Sequence, residues 1–326
     1  MFKQAYIAIR ELIMLLAVGS VPVVIFGQDH VSMADKRDII DENTVAAPFA
    51  PGVVSSKFDE WATSFSPDEK TVYFSRGVTS SAVCFSTKRN GVWQRPQVAS
   101  FSGIWNDFDA FVSPDGSKLF FSSNRPLEGV PQDKPNAKSH LWYVERTQDG
   151  QWGTPHHVDS GVNISSSNDY GPSVSAKGTL YWCSRNREGH KGMQSFYAVW
   201  LEDHYDQPKM VNVPGVEEVQ DPFIATDERY LVFLSGNDLY ISFRQGDGWS
   251  PAENLGSRVN TGSGNSSPYV SHDGKMLYYT SNRTEGFYKR DKNHAMSYEE
   301  LEKEYENMFN GRGNILMIPI HLPAGL

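Results

Sequence analysis

One phrase recurs five times along this chain and limits what it can fold into more than any other feature. The copies are "SFSPDEKTVYFSR", "AFVSPDGSKLFFSSNR", "PSVSAKGTLYWCSRNR", "PFIATDERYLVFLSGN" and "PYVSHDGKMLYYTSNR". Their turn residues Ser66, Ser113, Ser175, Ala225 and Ser271 lie 47, 62, 50 and 46 positions apart. A period of that size belongs to architectures built from one supersecondary unit per copy. Within each copy a short strand enters a Pro/Asp/Gly turn and an aromatic-rich strand leaves it, the chemistry of a tight β-connection. A third strand follows ("AVCFSTK", "HLWYVER", "SFYAVWL", "DLYISFR"), then a turn ending in Trp93, Trp152, Tyr205 or Trp249. The fourth segment carries Pro96, Pro155, Pro208 or Pro251 at a fixed offset, which suits an outermost strand that needs no ladder donor on one side.

Four antiparallel strands in roughly 50 residues make a propeller blade, so the expectation is an all-β propeller of five blades. The last copy has its third strand late, in "NILMIPI", and no fourth, while "APFAPGVVSSKFDEW" near the start resembles a fourth-strand segment. The N-terminal segment is therefore expected to supply the missing outer strand and close the ring. Six blades are the alternative, should that segment build more than one strand. Cys84 and Cys183 fall on non-neighbouring units, too distant for a disulfide, and read as small buried apolar residues.

The repeats resemble the WD40-like β-propeller repeat of TolB-like proteins over about 48–320. The resemblance implies a secreted or periplasmic location and roles ranging from protein docking to carbohydrate and peptide chemistry. Function does not follow from the fold itself. The third copy departs from the pattern at Ala176 and Lys177, and the fourth at Thr226 and Glu228.

Residues 1–27 read as a signal peptide: Lys3 and Arg10 precede an apolar run from Leu12 to Phe26, interrupted by Pro22. An uncleaved anchor is the alternative. Residues 28–47 are expected to be a flexible segment and 48–326 one propeller domain, with a helical insertion at 287–313. In that insertion Ser297 and Glu300 form a capping box at the head of "SYEELEKEYENMF". A net charge of −9 without a basic run excludes a nucleic-acid footprint. The mature chain is expected to be a monomer with no stable membrane insertion.

Strand order places the short turns on one face and the long, irregular loops on the other, where a site belongs. Entering the inner strands on that face are Glu60, Asp107 with Asp109, Asp169, Asp221 and Asn265; leaving the second strands are Arg76, Arg125, Arg187 and Arg283. These ten residues are the ligand-binding candidates. Arg matches carboxylates bidentately, so pairing between blades is the structural expectation. The fourth copy has Gly236 and Asn237 in place of an Arg, which suggests acid in excess around Asp169 and Asp221. No metal-ligand, nucleophile-elbow or phosphate-loop motif occurs. No cofactor is expected, a divalent cation such as calcium being the one exception the acids allow. The leading expectation is a binding protein that docks a protein or glycan partner by its loop-rich face without catalysis. The alternative is a glycoside hydrolase or polysaccharide lyase using Asp107, Asp169 and Asp221 as acid and base.

Overall fold

The computed structural model describes residues 38–127, 133–158, 161–187, 189–261, 264–284 and 293–323. The expected signal peptide lies outside them. Five four-stranded antiparallel sheets form five blades, and the inner strand of each packs beside the inner strand of the next, the fifth beside the first. The inner strands are Glu60–Phe65, Asp107–Val112, Asn168–Val174, Gln220–Ile224 and Asn265–Val270. Four blades end in the two-residue outer strands Gln97–Val98, His156–His157, Lys209–Met210 and Glu253–Asn254. Each begins one or two residues after the expected proline, which ends the run where pairing is needed on one side only.

The fifth blade is completed from the other end of the chain. Ala47–Pro48 pairs antiparallel with Asn314–Pro319, Ala47 opposite Met317 and Pro48 opposite Leu316. Phe49 then turns inward and meets Phe65, Trp93 and Tyr278 edge-on, at centroid distances of 5.6, 5.5 and 5.0 Å. The packed chain starts ahead of this strand: Ile39, Ile40 and Ala46 are buried, and the His321 amide donates to the Ile39 carbonyl at 2.9 Å. Both cysteines are free and buried, on blades 1 and 3.

The helix Tyr298–Glu306 has the expected capping box at Ser297 and Glu300. Tyr298, Leu301, Tyr305 and Met308 recur at helical spacing as an apolar stripe, but it is not a core face, for Tyr298 and Tyr305 are exposed and none of the helix residues is buried. Lys57 bonds Glu306 at 2.7 Å and ties the helix to the approach of the first inner strand. No helix among the described residues is long and apolar enough to cross a membrane.

Closure predicts an asymmetry between two apolar residues of outer segments. Phe49→Ala should cost about 3–5 kcal/mol in urea unfolding, the range for a buried aromatic. Val98→Ala, on the exposed outer strand of blade 1, should cost about 0.5 kcal/mol or less. Equal costs would mean that the N-terminal strand does not hold the ring.

Candidate functional site

Each inner strand carries a bulge at the same place, and the bulges meet at the axis. The register shifts after Trp61, Phe108, Tyr170, Gln220 and Ser266. The next residue is left-handed in every blade: Ala62 (φ 53), Asp109 (φ 53), Gly171 (φ 62), Asp221 (φ 46) and Ser267 (φ 46). Aspartate tolerates this conformation better than most residues. The bulge frees an amide, which turns to the preceding blade. Ala62 donates to Thr280 Oγ1 at 3.3 Å and Asp109 to Ser75 Oγ at 2.9 Å, while the Asp221 amide bonds the Cys183 sulfur. Gly171 and Ser267 find a carboxylate instead, donating at 3.1 Å to Asp109 Oδ2 and Asp221 Oδ2.

Two residues ahead of the bulge lies the acid belt, which the structure divides from the axis. Glu60, Asp107 and Asp169 are wholly buried. Each pairs with the arginine of its own blade, not across blades as expected: Glu60 with Arg76 at 3.0 Å, Asp107 with Arg125 at 2.7 Å and Asp169 with Arg187 at 3.9 Å. Hydroxyls supply further donors, beside the Ser56 amide on Glu60 and the Trp182 indole on Asp169. Asp107 accepts from Ser102 and Ser123 at 2.9 and 2.6 Å, and Asp169 from Ser167 and Ser184 at 2.7 and 2.6 Å. Burial nonetheless holds the Glu60 and Asp169 carboxyls above the usual range, against the pull of these donors and of the arginines.

The same guanidinium groups fix the chain arriving from the preceding blade or from the closing strand. Arg76 donates to the Val53 carbonyl at 2.9 Å, Arg125 to Phe101 at 3.1 Å and Arg187 to Val162 at 2.8 Å. The belt is therefore a set of clamps between acid, arginine and backbone carbonyl. Removing one partner leaves a buried charge uncompensated.

Asp221 is not a belt residue. Phe223 sits opposite Val232 as Phe111 sits opposite Phe120, so Asp221 is the counterpart of Asp109 and the belt position of blade 4 is Val219. The missing arginine of the fourth copy is thus matched by a missing acid. Aligning Pro172, Pro222 and Pro268 in "DYGPSV", "VQDPFI" and "NSSPYV" gives this register from the letters alone. In blade 5 the belt holds Asn265, buried with neither side-chain polar atom bonded, and Arg283 lies 5.8 Å from the Phe309 ring.

Asp109 and Asp221 face the channel. Both line a narrow axial cavity of about 40 Å³ and also the wider mouth beside it, a concavity opening among Val78–Ser81 and Asn106. Three of the residues preceding the bulges line this opening, Trp61, Phe108 and Ser266, while Tyr170 lines a separate hollow with Phe108 and Arg185. Trp61 Nε1 donates to Asp109 Oδ1 at 3.1 Å. Among the described residues neither axial carboxyl has a basic partner. Burial, and then the nearby Asp221 carboxylate, push Asp109 up to about 7; burial raises Asp221 also.

The histidines of the loop-rich side do not converge. His140 contacts His157 at 3.0 Å, His190 packs on Phe196 and His294 bonds Glu300 at 3.1 Å. Among the described residues no three His, Cys, Asp or Glu side chains gather as a metal ion would need. His156 stacks on Tyr143, pointing away from His157 as adjacent strand residues do.

No protein-family model matches the chain, and no curated protein matches it. Among solved structures, the α-L-arabinofuranosidase of Lactobacillus brevis is similar with a TM-score of 0.51 at 12% identity, over 84% of this chain and 93% of that one. TolB of Acinetobacter baumannii is similar with a TM-score of 0.45 at 15% identity, over 80% of this chain and 54% of that one. A gluconolactonase of Xanthomonas campestris gives 0.47 at 9% identity, over 87% and 92%. This chain thus spans about half the length of the TolB structure. The propeller fold read from the repeats is observed in the five blades, and these likenesses concern the fold alone.

The raised axial carboxyls give a signed pH prediction. Folded Asp109 keeps a proton that the unfolded chain releases near pH 4, so its contribution to stability falls as pH rises from about 4 to about 7. Asp221→Asn removes the neighbouring charge, and its amide oxygen can still accept from Ser267. Its Tm should exceed the wild type's at pH 8 by a few degrees, with the difference vanishing near pH 4. Asp107→Asn should instead lose about 3–5 kcal/mol at pH 8. Loss of stability in Asp221→Asn at pH 8 would contradict the assignment.

Proposed function

We propose that this chain is a non-catalytic propeller that docks a protein or glycan partner at the loop-rich mouth of its channel. Its apolar N-terminal segment supports a periplasmic or secreted location. One observation carries the reading: the acids nearest in type to a catalytic set, Asp107 and Asp169, are used up in the clamps, while the mouth they were expected to line stays open. What faces a partner there is an aromatic pair, Trp61 and Phe108, beside the carboxyls of Asp109 and Asp221. Aromatic anchors in a concave, partly desolvated site are the usual centre of a binding surface.

Carbohydrate cleavage is the second reading. It draws on Asp109, whose carboxyl stands at about 7, within the range a general acid needs. Its second carboxyl would be Asp221, without Asp107 or Asp169.

Binding of the wild type and Trp61→Ala to arrays of oligosaccharides and peptides separates the two. The docking reading expects one bound class, recovered intact, with at least about tenfold weaker binding by Trp61→Ala. Cleaved product that disappears in Asp109→Asn would establish the enzyme. Binding indifferent to Trp61→Ala would move the surface away from the mouth.

A further inference from the structure

The molecule holds two kinds of inward acid, and they differ in one respect. Every belt acid has an arginine at 3.9 Å or closer. Asp109 and Asp221 have none among the described residues, although they flank Gly171 together. Gly171 donates its amide to Asp109 Oδ2 at 3.1 Å, and a β-carbon built on it would lie 3.8 Å from Asp221 Oδ1. Two neighbouring carboxyls without a counter-ion repel each other in a site that water only partly reaches. A second group is also left over at the same place. Thr63 lines the axial cavity, is 6% exposed, and its buried hydroxyl has no hydrogen-bond partner.

A cation placed between the carboxyls answers both observations. Blades 1 to 3 set an arginine against each belt acid, whereas the axial acids receive none among the described residues. The mouth suits an organic cation better than a bare ion. Trp61 and Phe108 line it with aromatic surface for a cation and for the methylenes behind it, and two carboxylates alone give too few oxygens for calcium's six to eight ligands. The acids line both the mouth and the cavity, and a long flexible stem suits such a position because it can carry a charged tip inward while the bulk of its owner stays outside. A net charge of −9 also favours approach of a basic partner.

On the reading that the mouth is the docking surface, we propose that it anchors the charged tip of one Lys or Arg side chain of a partner protein, held against Asp109 and Asp221. The Trp61 indole N–H reports on this directly, because it donates to Asp109 Oδ1. Its cross-peak in a proton–nitrogen spectrum of the full chain at pH 8 is assigned by its loss in Trp61→Phe. The probes are acetyl-Gly-Gly-Lys-Gly-Gly-amide, the same peptide with Nε-acetylated lysine, n-butylammonium and a neutral xylo-oligosaccharide.

The lysine peptide should shift the Trp61 peak saturably. The acetylated peptide and the Asp221→Asn protein should each weaken the effect about tenfold or more. Equal response to the acetylated peptide, or no response to the lysine peptide up to about 10 mM, overturns the proposal. A tighter response to n-butylammonium than to the peptide overturns the partner side chain in favour of a free amine. A response to the oligosaccharide alone overturns the cation while leaving the mouth as the docking surface.

Discussion

The ring depends on a strand of two residues. Ala47 and Pro48 lie on the last strand of the chain, and without them the fifth blade would have three strands and the inner strands of blades 1 and 5 would have no covalent reason to stay adjacent. Phe49 turns that pairing into a packed joint by placing one ring among Phe65, Trp93 and Tyr278, which come from blades 1 and 5. A blade cannot bury both of its faces alone; five in a closed ring can.

Closure brings five inner strands to one axis, and the bulges follow from it. Each strand bends there, frees an amide, and hands it to the preceding blade or to an axial carboxylate. The same geometry sorts the acids. Two residues before the bulge a carboxyl is sealed between its own second strand and the arriving connection, where only an arginine makes it tolerable. At the bulge a carboxyl faces the channel, where water and a ligand can reach it. Glu60, Asp107 and Asp169 are thus scaffold, while Asp109 and Asp221 are the ones left for a partner.

The repeats made the blades, their number, the closing strand and the helix cap legible, because each rests on local chemistry: turn residues, alternating strands, proline on an edge, Ser297 with Glu300. The side of a strand on which an acid falls was not legible from alternation, because a bulge inserts a residue and shifts the alternation beyond it. Asp221 looked like the partner of Asp169 for this reason, and only the proline register of three copies shows it to be the partner of Asp109. The arginines were legible as pairing residues but not as clamps, since the carbonyls of Val53, Phe101 and Val162 carry no side-chain signal. The exposed tyrosines of the helix show the opposite limit: helical spacing predicts a stripe, not what covers it.

The division between clamping and receiving acids requires that the axial pair be acids without a counter-ion, and a carboxyl-carbon NMR titration of Asp109 and Asp221 tests that most directly. The pair should titrate in two steps, one of them near pH 7 and well above the ordinary aspartate range, and the upper step should fall in Asp221→Asn. Two coincident titrations near pH 4 would mean that the charges are already neutralised or fully solvated, and the division between clamping and receiving acids would not stand.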